Sequence, residues 1–378
     1  MMSRSFSEFR ADTALIVDAD VHLHENPNDM APFAAGLQRK ALEAPDSERW
    51  LDTPELSPLT AYDVPIADDP GRAVHVVRNA NQLRSDLDNL GIDAAIVFPG
   101  RMLGTARSPQ NSIELTEVYN RYVNELWVRP GDGIYGALMV ASQDPKASAA
   151  EIERYAAADG FAAVYLPTAG VHPLWGHRQY DPIYAAAQAA RLPVVAHGLT
   201  HIYPVFPFNL ERFDTAIAKQ TLAKPLAAIA NLVDMVTTGV FARFPDLKVV
   251  FPETGLSWLP FVMWRLDQQY KWLAAELPFY TDKPSTYIKR QVFVTTHSLE
   301  APDDPAAIAA LLDAIGGPER ALYASDWPHY DHDRPERVSA LAIPDAAKRR
   351  ILGYNARDVF RIAEPRARPA CANVAATR

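Results

Sequence analysis

Short apolar runs alternate with helical patterns along most of this chain, and the runs end in residues that bind metals or move protons. A helical pattern over 76–90, closed by Gly91, feeds a run over 92–98; 112–128 feeds 134–140, 147–158 feeds 161–166, and 182–190 feeds 193–197. Further on, 210–244 feeds 248–253, 257–276 feeds 292–296, 305–315 feeds 321–325, and a helix over 345–361 closes the series. With the run that starts at Leu15, this makes about eight strand–helix units. Strands this short and continuously apolar are buried on both faces in a parallel sheet, and eight of them close into an α/β fold of the (β/α)8 TIM-type barrel kind. An open doubly wound sheet is the competing architecture, but no Gly-rich phosphate loop follows any run. Barrel active sites are assembled from strand C-termini. Those ends read Asp20, His22 and His24, then His197, Glu253, His297 and Asp326, and a barrel predicts that they converge.

The first strand end is the richest. In Val17-Asp18-Ala19-Asp20-Val21-His22-Leu23-His24-Glu25-Asn26-Pro27, strand alternation places Asp18, Asp20, His22 and His24 on one face. Leu15, Ile16 and Val17 lead straight into this cluster, so it reads as a buried strand ending at a divalent metal rather than a surface strand wetted on one side. The domain reading is an extension over 1–14, a barrel over 15–362 and a disordered tail over 363–378. Residues 31–75, rich in Pro, Asp and Glu with little periodicity, are expected to form an insertion or lid over the site.

Composition removes several classes. A net charge of -9 over 378 residues, with Lys and Arg scattered, argues against a nucleic-acid surface. The single cysteine, Cys371, lies in the tail, so neither a disulfide frame nor a thiolate metal site can be built. The start lacks the apolar core of a signal peptide and no later run is long enough to span a bilayer, which sets the expectation of a soluble, cytoplasmic protein with no membrane partner.

Four motifs at strand ends, Asp-Val-His-Leu-His-Glu-Asn-Pro at 20–27, Val-Val-Ala-His-Gly at 194–198, Pro-Asp-Leu-Lys-Val-Val-Phe-Pro-Glu-Thr-Gly-Leu-Ser-Trp-Leu-Pro at 245–260 and Ala-Ser-Asp-Trp-Pro-His at 324–329, resemble the amidohydrolase-related branch of the amidohydrolase superfamily. The resemblance implies a metal-dependent enzyme acting on a small organic acid, aromatic or unsaturated, by decarboxylation or hydrolysis. It also implies a ligand set: Asp20 with His22, or His22 with His24, from the first strand; His197 from the fifth; Asp326 from the eighth. The acid-x-His register fits the Glu25–Pro27 continuation, leaving His24 as a further ligand or a substrate contact. Zn²⁺ or Mn²⁺ suits such oxygen and nitrogen donors.

Two departures matter. The fourth-strand end, Tyr165-Leu166-Pro167-Thr168, has no lysine to carry the carbamate bridge of many two-metal relatives, which points to one metal. Where aminocarboxymuconate decarboxylases carry a sixth-strand histidine, this chain has Glu253, which can act as a general acid or base, ligate a second metal or hold a helix N-terminus. Glu253, His297 and Asp326 are the candidate catalytic residues. A dinuclear Mn/Fe or Fe/Fe oxygenase on the same barrel is the alternative, since Asp20, His22, His24, His197, Glu253 and Asp326, with His75, offer enough donors. A non-catalytic partner subunit is the third reading.

Arg101 is the candidate clamp for a substrate carboxylate, and Trp327 and His329 flank the eighth strand end as further substrate contacts. Phe206, Phe208, Trp258 and Tyr330 would complete an aromatic-lined pocket or serve the core. On 257–276, Phe261, Trp264 and Leu273 stand among Arg265, Asp267, Gln268 and Lys271, the pattern of a homodimer contact or of packing on the barrel.

Overall fold

In a computed structural model the described residues are 6–11, 15–44, 76–100, 108–168, 171–198, 214–300, 304–329 and 331–363. Within them eight parallel strands pair in chain order. They are β1 (Val17–His22), β2 (Ala94–Phe98), β3 (Ile134–Met139), β4 (Phe161–Pro167), β5 (Val194–His197), β6 (Val249–Phe251), β7 (Val292–Thr295) and β8 (Ala321–Leu322). The ring closes between β1 and the chain at and beyond β8, where Ala19 N donates to Tyr323 O, Asp326 N to Asp20 O and His22 N to Trp327 O at 2.7–3.0 Å. The fold is the (β/α)8 barrel expected from the alternation.

Every strand residue is buried, because side chains of one parity fill the barrel interior and those of the other meet the helices. Ile96, Phe98, Ala137, Tyr165, Val195, Val250 and Phe293 pack in one cluster within the barrel, whereas Val97, Leu138, Val164, Val249 and Val294 belong to the larger cluster outside it. Double burial is why these strands read as continuous apolar runs.

Local signals explain most helix ends. The helix Ala80–Leu90 is capped by Asn79, whose side chain accepts from Gln82 N, and ends on Gly91 at φ 74. The helices Pro109–Leu126 and Pro145–Tyr155 start two or three residues earlier than periodicity alone suggests. Ser108 and Asp144 supply capping oxygens there, and proline at the first helical position gives up an N–H that has no partner in any case. The pattern over 210–244 resolves, among the described residues, into Ala216–Thr237 and Val240–Arg243, broken at Gly239 with φ 82. A helix that periodicity did not separate, Pro284–Gln291, precedes β7. The closing helix is interrupted by a wider turn at Arg350–Tyr354, between Asp345–Arg349 and Asn355–Phe360.

Of the insertion, the structure shows a short 3₁₀ turn at Ala31–Phe33 and a helix at Gly36–Leu42; residues 45–75, and with them His75, lie outside the described residues, as does the tail from 364. No helix among the described residues is long and apolar enough to cross a membrane.

Candidate active site

The arrangement of the site begins with a fault in β1. Between Asp18 and Val21 the strand advances three residues while β2 advances two, from Ala95 to Val97, which is a β-bulge. Before it, Val17 and Ala19 sit in the interior cluster; after it, Val21 and Leu23 sit in the outer one. The bulge reverses the parity, so strict alternation does not hold across Asp18, Asp20, His22 and His24. Asp20 and His22 turn to the barrel axis, while Asp18 stays behind them and accepts hydrogen bonds from Asp20 N (3.1 Å) and Ser325 N (2.9 Å). Burial pushes the Asp18 carboxyl up to about 7, against the pull of those donors.

Four donor atoms from three strand ends then meet. His22 Nε2 lies 3.0 Å from His197 Nε2, 3.4 Å from Asp20 Oδ1 and 3.2 Å from Asp326 Oδ1, and His197 Nε2 lies 3.0 Å from Asp20 Oδ1. Donors around one Zn²⁺ or Mn²⁺, with bonds of about 2.1 Å, are separated by roughly 3.0–3.4 Å, so the spacing of Asp20, His22 and His197 fits a single cation, which Asp326 approaches from the side of His22. Neither oxygen of the fully buried Asp20 accepts a hydrogen bond among the described residues, an arrangement that water-free burial penalises unless a cation is nearby. His22 Nδ1 faces Pro99 O at 3.2 Å, which leaves Nε2 directed at the cluster. Burial lowers the affinity of His22 for a proton, but the carboxylates of Asp20 and Asp326 outweigh it and raise the imidazole to about 9. The same carboxylates would favour a divalent cation in the proton's place. The ring of His197 rests edge-on against Phe98 and Tyr165, 5.5 and 6.3 Å between centroids, which form an apolar floor.

Asp326 faces a second set of groups with its other oxygen. Oδ2 lies 2.6 Å from His329 Nδ1 and 3.3 Å from His297 Nε2. Its carboxyl is buried, which alone would raise it, but His329 and His297 hold it well below the usual carboxylate range. Burial lowers His329, whereas for His297 the effect of burial is overcome by Asp326 and Asp333, which take it to about 10. His297 Nδ1 lies 3.3 Å from Asp333 Oδ2, and Asp333 is paired with Arg337 on its outer side. The turn that follows Asp326 is capped by its neighbour: Trp327 N donates to Ser325 Oγ at 3.0 Å.

Glu253 stands at the end of β6 with φ 56, and Asp326 has φ 63; left-handed backbone at two buried non-glycine residues is the kind of strain that clusters at functional sites. Glu253 Oε1 contacts the ammonium of Lys224, and Oε2 lies 4.0 Å from His197 Nδ1. Donor atoms of Glu253, His297 and Asp326 also fall within 4.8 Å of one another.

The remaining expectations divide as follows. His24 is half-buried and is not grouped with the other donors. His329 contacts Asp326 and lies against the His22 ring, 4.6 Å between centroids. The ring of Trp327 packs edge-on against His332. Trp258 is a core residue whose Nε1 bonds Thr254 Oγ1 and Gly255 O. Arg101, His201, Phe206, Phe208 and Tyr330 lie outside the described residues. Two residues were missed. Lys224 could have been noticed as a lone charge in the apolar stretch Leu222-Ala223-Lys224-Pro225-Leu226; Asp333 sits in the charged loop Asp331-His332-Asp333 and carries no signal of its own.

An eight-stranded barrel with imidazole and carboxylate donors gathered at its C-terminal rim defines a class of metal-dependent barrel enzymes. The chain belongs to the amidohydrolase family, whose model matches residues 18–362. Among solved structures it is similar to an amidohydrolase of Mycobacterium avium subsp. paratuberculosis, with TM-score 0.67 and 18% identity over 92% of this chain and 99% of that one. The 5-carboxyvanillate decarboxylase of Sphingomonas paucimobilis gives TM-score 0.66 and 21% identity over 93% and 100%. A dihydroxybenzoic acid decarboxylase of a Polaromonas species, with bound manganese and the inhibitor 2-nitroresorcinol, gives 0.64 and 18% over 92% and 97%. At these identities the likeness is one of fold.

Proposed function

We propose that this chain is a divalent-metal-dependent carbon–carbon lyase that removes CO₂ from a small aromatic or unsaturated acid, with Zn²⁺ or Mn²⁺ held by Asp20, His22, His197 and Asp326. The observation that carries the reading is the mutual 3.0–3.4 Å spacing of three buried donors, Asp20, His22 and His197, from β1 and β5, with Asp326 of the β8 end 3.2 Å from His22. The fold shared with decarboxylases of 5-carboxyvanillate and dihydroxybenzoic acid is what motivates decarboxylation as the reaction.

When bound, the cation supplies Lewis acidity that stabilises charge on the substrate's oxygens. The chain's own groups handle the proton. The bond to the carboxyl carbon breaks, CO₂ leaves, and the electron pair remaining on the substrate carbon takes a proton. His297, between the carboxylates of Asp333 and Asp326, holds that proton 3.3 Å from Asp326 Oδ2, from which it is relayed. Glu253, whose Oε1 contacts Lys224, presents its other carboxylate oxygen as the acceptor for a proton, such as that of a ring hydroxyl. Phe98 and Tyr165 keep water out from below.

Protein purified without chelator should carry about one equivalent of divalent metal per chain, and stripping it should abolish CO₂ release from hydroxybenzoate-type acids until Zn²⁺ or Mn²⁺ is restored. Hydrolysis of an amide or ester panel without CO₂ release would move the assignment to a hydrolase. Protein that refuses metal on reconstitution would point to a partner subunit.

A second reading has its own observation, the convergence of Glu253, His297 and Asp326, which with the first cluster would make a dinuclear Mn/Fe or Fe/Fe oxygenase site. Two equivalents of metal including iron, with O₂ consumption, would establish it.

A homodimer completes the proposal. On Trp258–Leu273 the side chains of Phe261, Trp264, Trp272 and Leu273 are 56%, 65%, 79% and 46% exposed, a large apolar face for one helix. The expected solution mass is that of two chains; a mass of one chain at micromolar concentration removes the dimer.

A further inference from the structure

The buried charges of the site balance in a particular way. Asp20, Glu253 and Asp326 bring three buried carboxylates to neighbouring strand ends, Asp20 in the first cluster and Asp326 between His22 and His297. Glu253 meets an ammonium: Lys224, only 9% exposed on the helix Ala216–Thr237, reaches in to contact Glu253 Oε1. Buried charges are tolerated when paired and are costly when unmatched. Asp333, the other ionised carboxylate nearby, already has Arg337.

The location of the ammonium is what gives it a function. Glu253, His297 and Asp326 are grouped closely enough to hold a cation of their own, and Lys224 already places a positive charge on Oε1 of one of the three. Its charge also bears on His297 and His329, disfavouring added positive charge on either. We infer that Lys224 is a built-in cation that occupies the second-metal position and thereby fixes the site at one metal. The inference rests on the one-metal reading above and adds the residue that enforces it. Two positive centres sharing one carboxylate in a water-poor enclosure repel strongly, so the lysine and a second divalent ion exclude each other. A purely structural role, pinning the helix Ala216–Thr237 over β6, would leave metal stoichiometry untouched.

The test uses Mn²⁺ alone as probe and does not depend on turnover. Chelator-stripped wild-type protein, Lys224→Gln and Lys224→Arg are loaded with excess Mn²⁺, desalted, and measured for manganese per chain and by electron paramagnetic resonance. Glutamine keeps an N–H for Glu253 while removing the charge, so the carboxylate is not left without a donor. Wild type and Lys224→Arg should hold one uncoupled Mn²⁺. Lys224→Gln should take a second, spin-coupled to the first through Asp326, with an affinity on the order of 10²-fold or more above that of wild type for a second ion. A second variant, Lys224→Met with Glu253→Gln, removes both charges together and should return to one. Two Mn²⁺ in wild type would overturn both the inference and the one-metal reading. One Mn²⁺ in wild type and still one in folded Lys224→Gln would overturn the inference alone.

Discussion

Replacing Asp326 with asparagine should lower turnover by roughly 10³-fold or more while the protein stays folded. The carboxylate is shared: Oδ1 faces His22 in the metal cluster, and Oδ2 faces His297 and His329 in the proton-handling set. An amide is nearly the same size, so packing is kept, but it has no charge for the cation and cannot take up and release a proton at neutral pH. Because Ser325 Oγ already accepts from Trp327 N, the turn does not depend on Asp326 as a cap, so the variant should keep its fold even though the imidazoles around it lose their carboxylate partner. The measurements are kcat, metal content and circular dichroism on one preparation. Normal turnover with normal metal would refute the site proposed for this chain.

Glu253→Gln should cost roughly 10²–10⁴-fold in turnover, the usual scale for a lost general acid or base, with the single metal retained. Glutamine can still accept from the Lys224 ammonium through its amide oxygen, but it cannot accept a proton from substrate. The informative quantity is kcat against metal count. A slow variant that keeps its metal identifies proton transfer; a variant that loses one of two metals identifies a ligand; and a variant at full speed restricts Glu253 to holding Lys224 and the β6 end in place.

The chain's fold was legible because a parallel barrel buries both faces of each strand. Runs such as 92–98 and 134–140 are apolar throughout, and the positions where they turn polar mark the rim where a site can form. For the same reason His22, His197, Glu253, His297 and Asp326 could be picked as strand ends, each announced by the apolar run before it. Sequence periodicity carried no information on the rest. Alternation put Asp18 and His24 in register with Asp20 and His22; the bulge between Asp18 and Val21 separates Asp18, because its extra residue depends on how β1 pairs with β2, and His24 lies beyond the end of β1. Lys224 lies 29 residues before Glu253 and Asp333 lies 36 after His297, so no local pattern could join either pair. Which of the surplus imidazoles and carboxylates meet, and which charge answers which, was decided by barrel closure. Closure fixes the strand ends at distances where buried charges must be matched, and a chain's order says nothing about that until the ends are brought together.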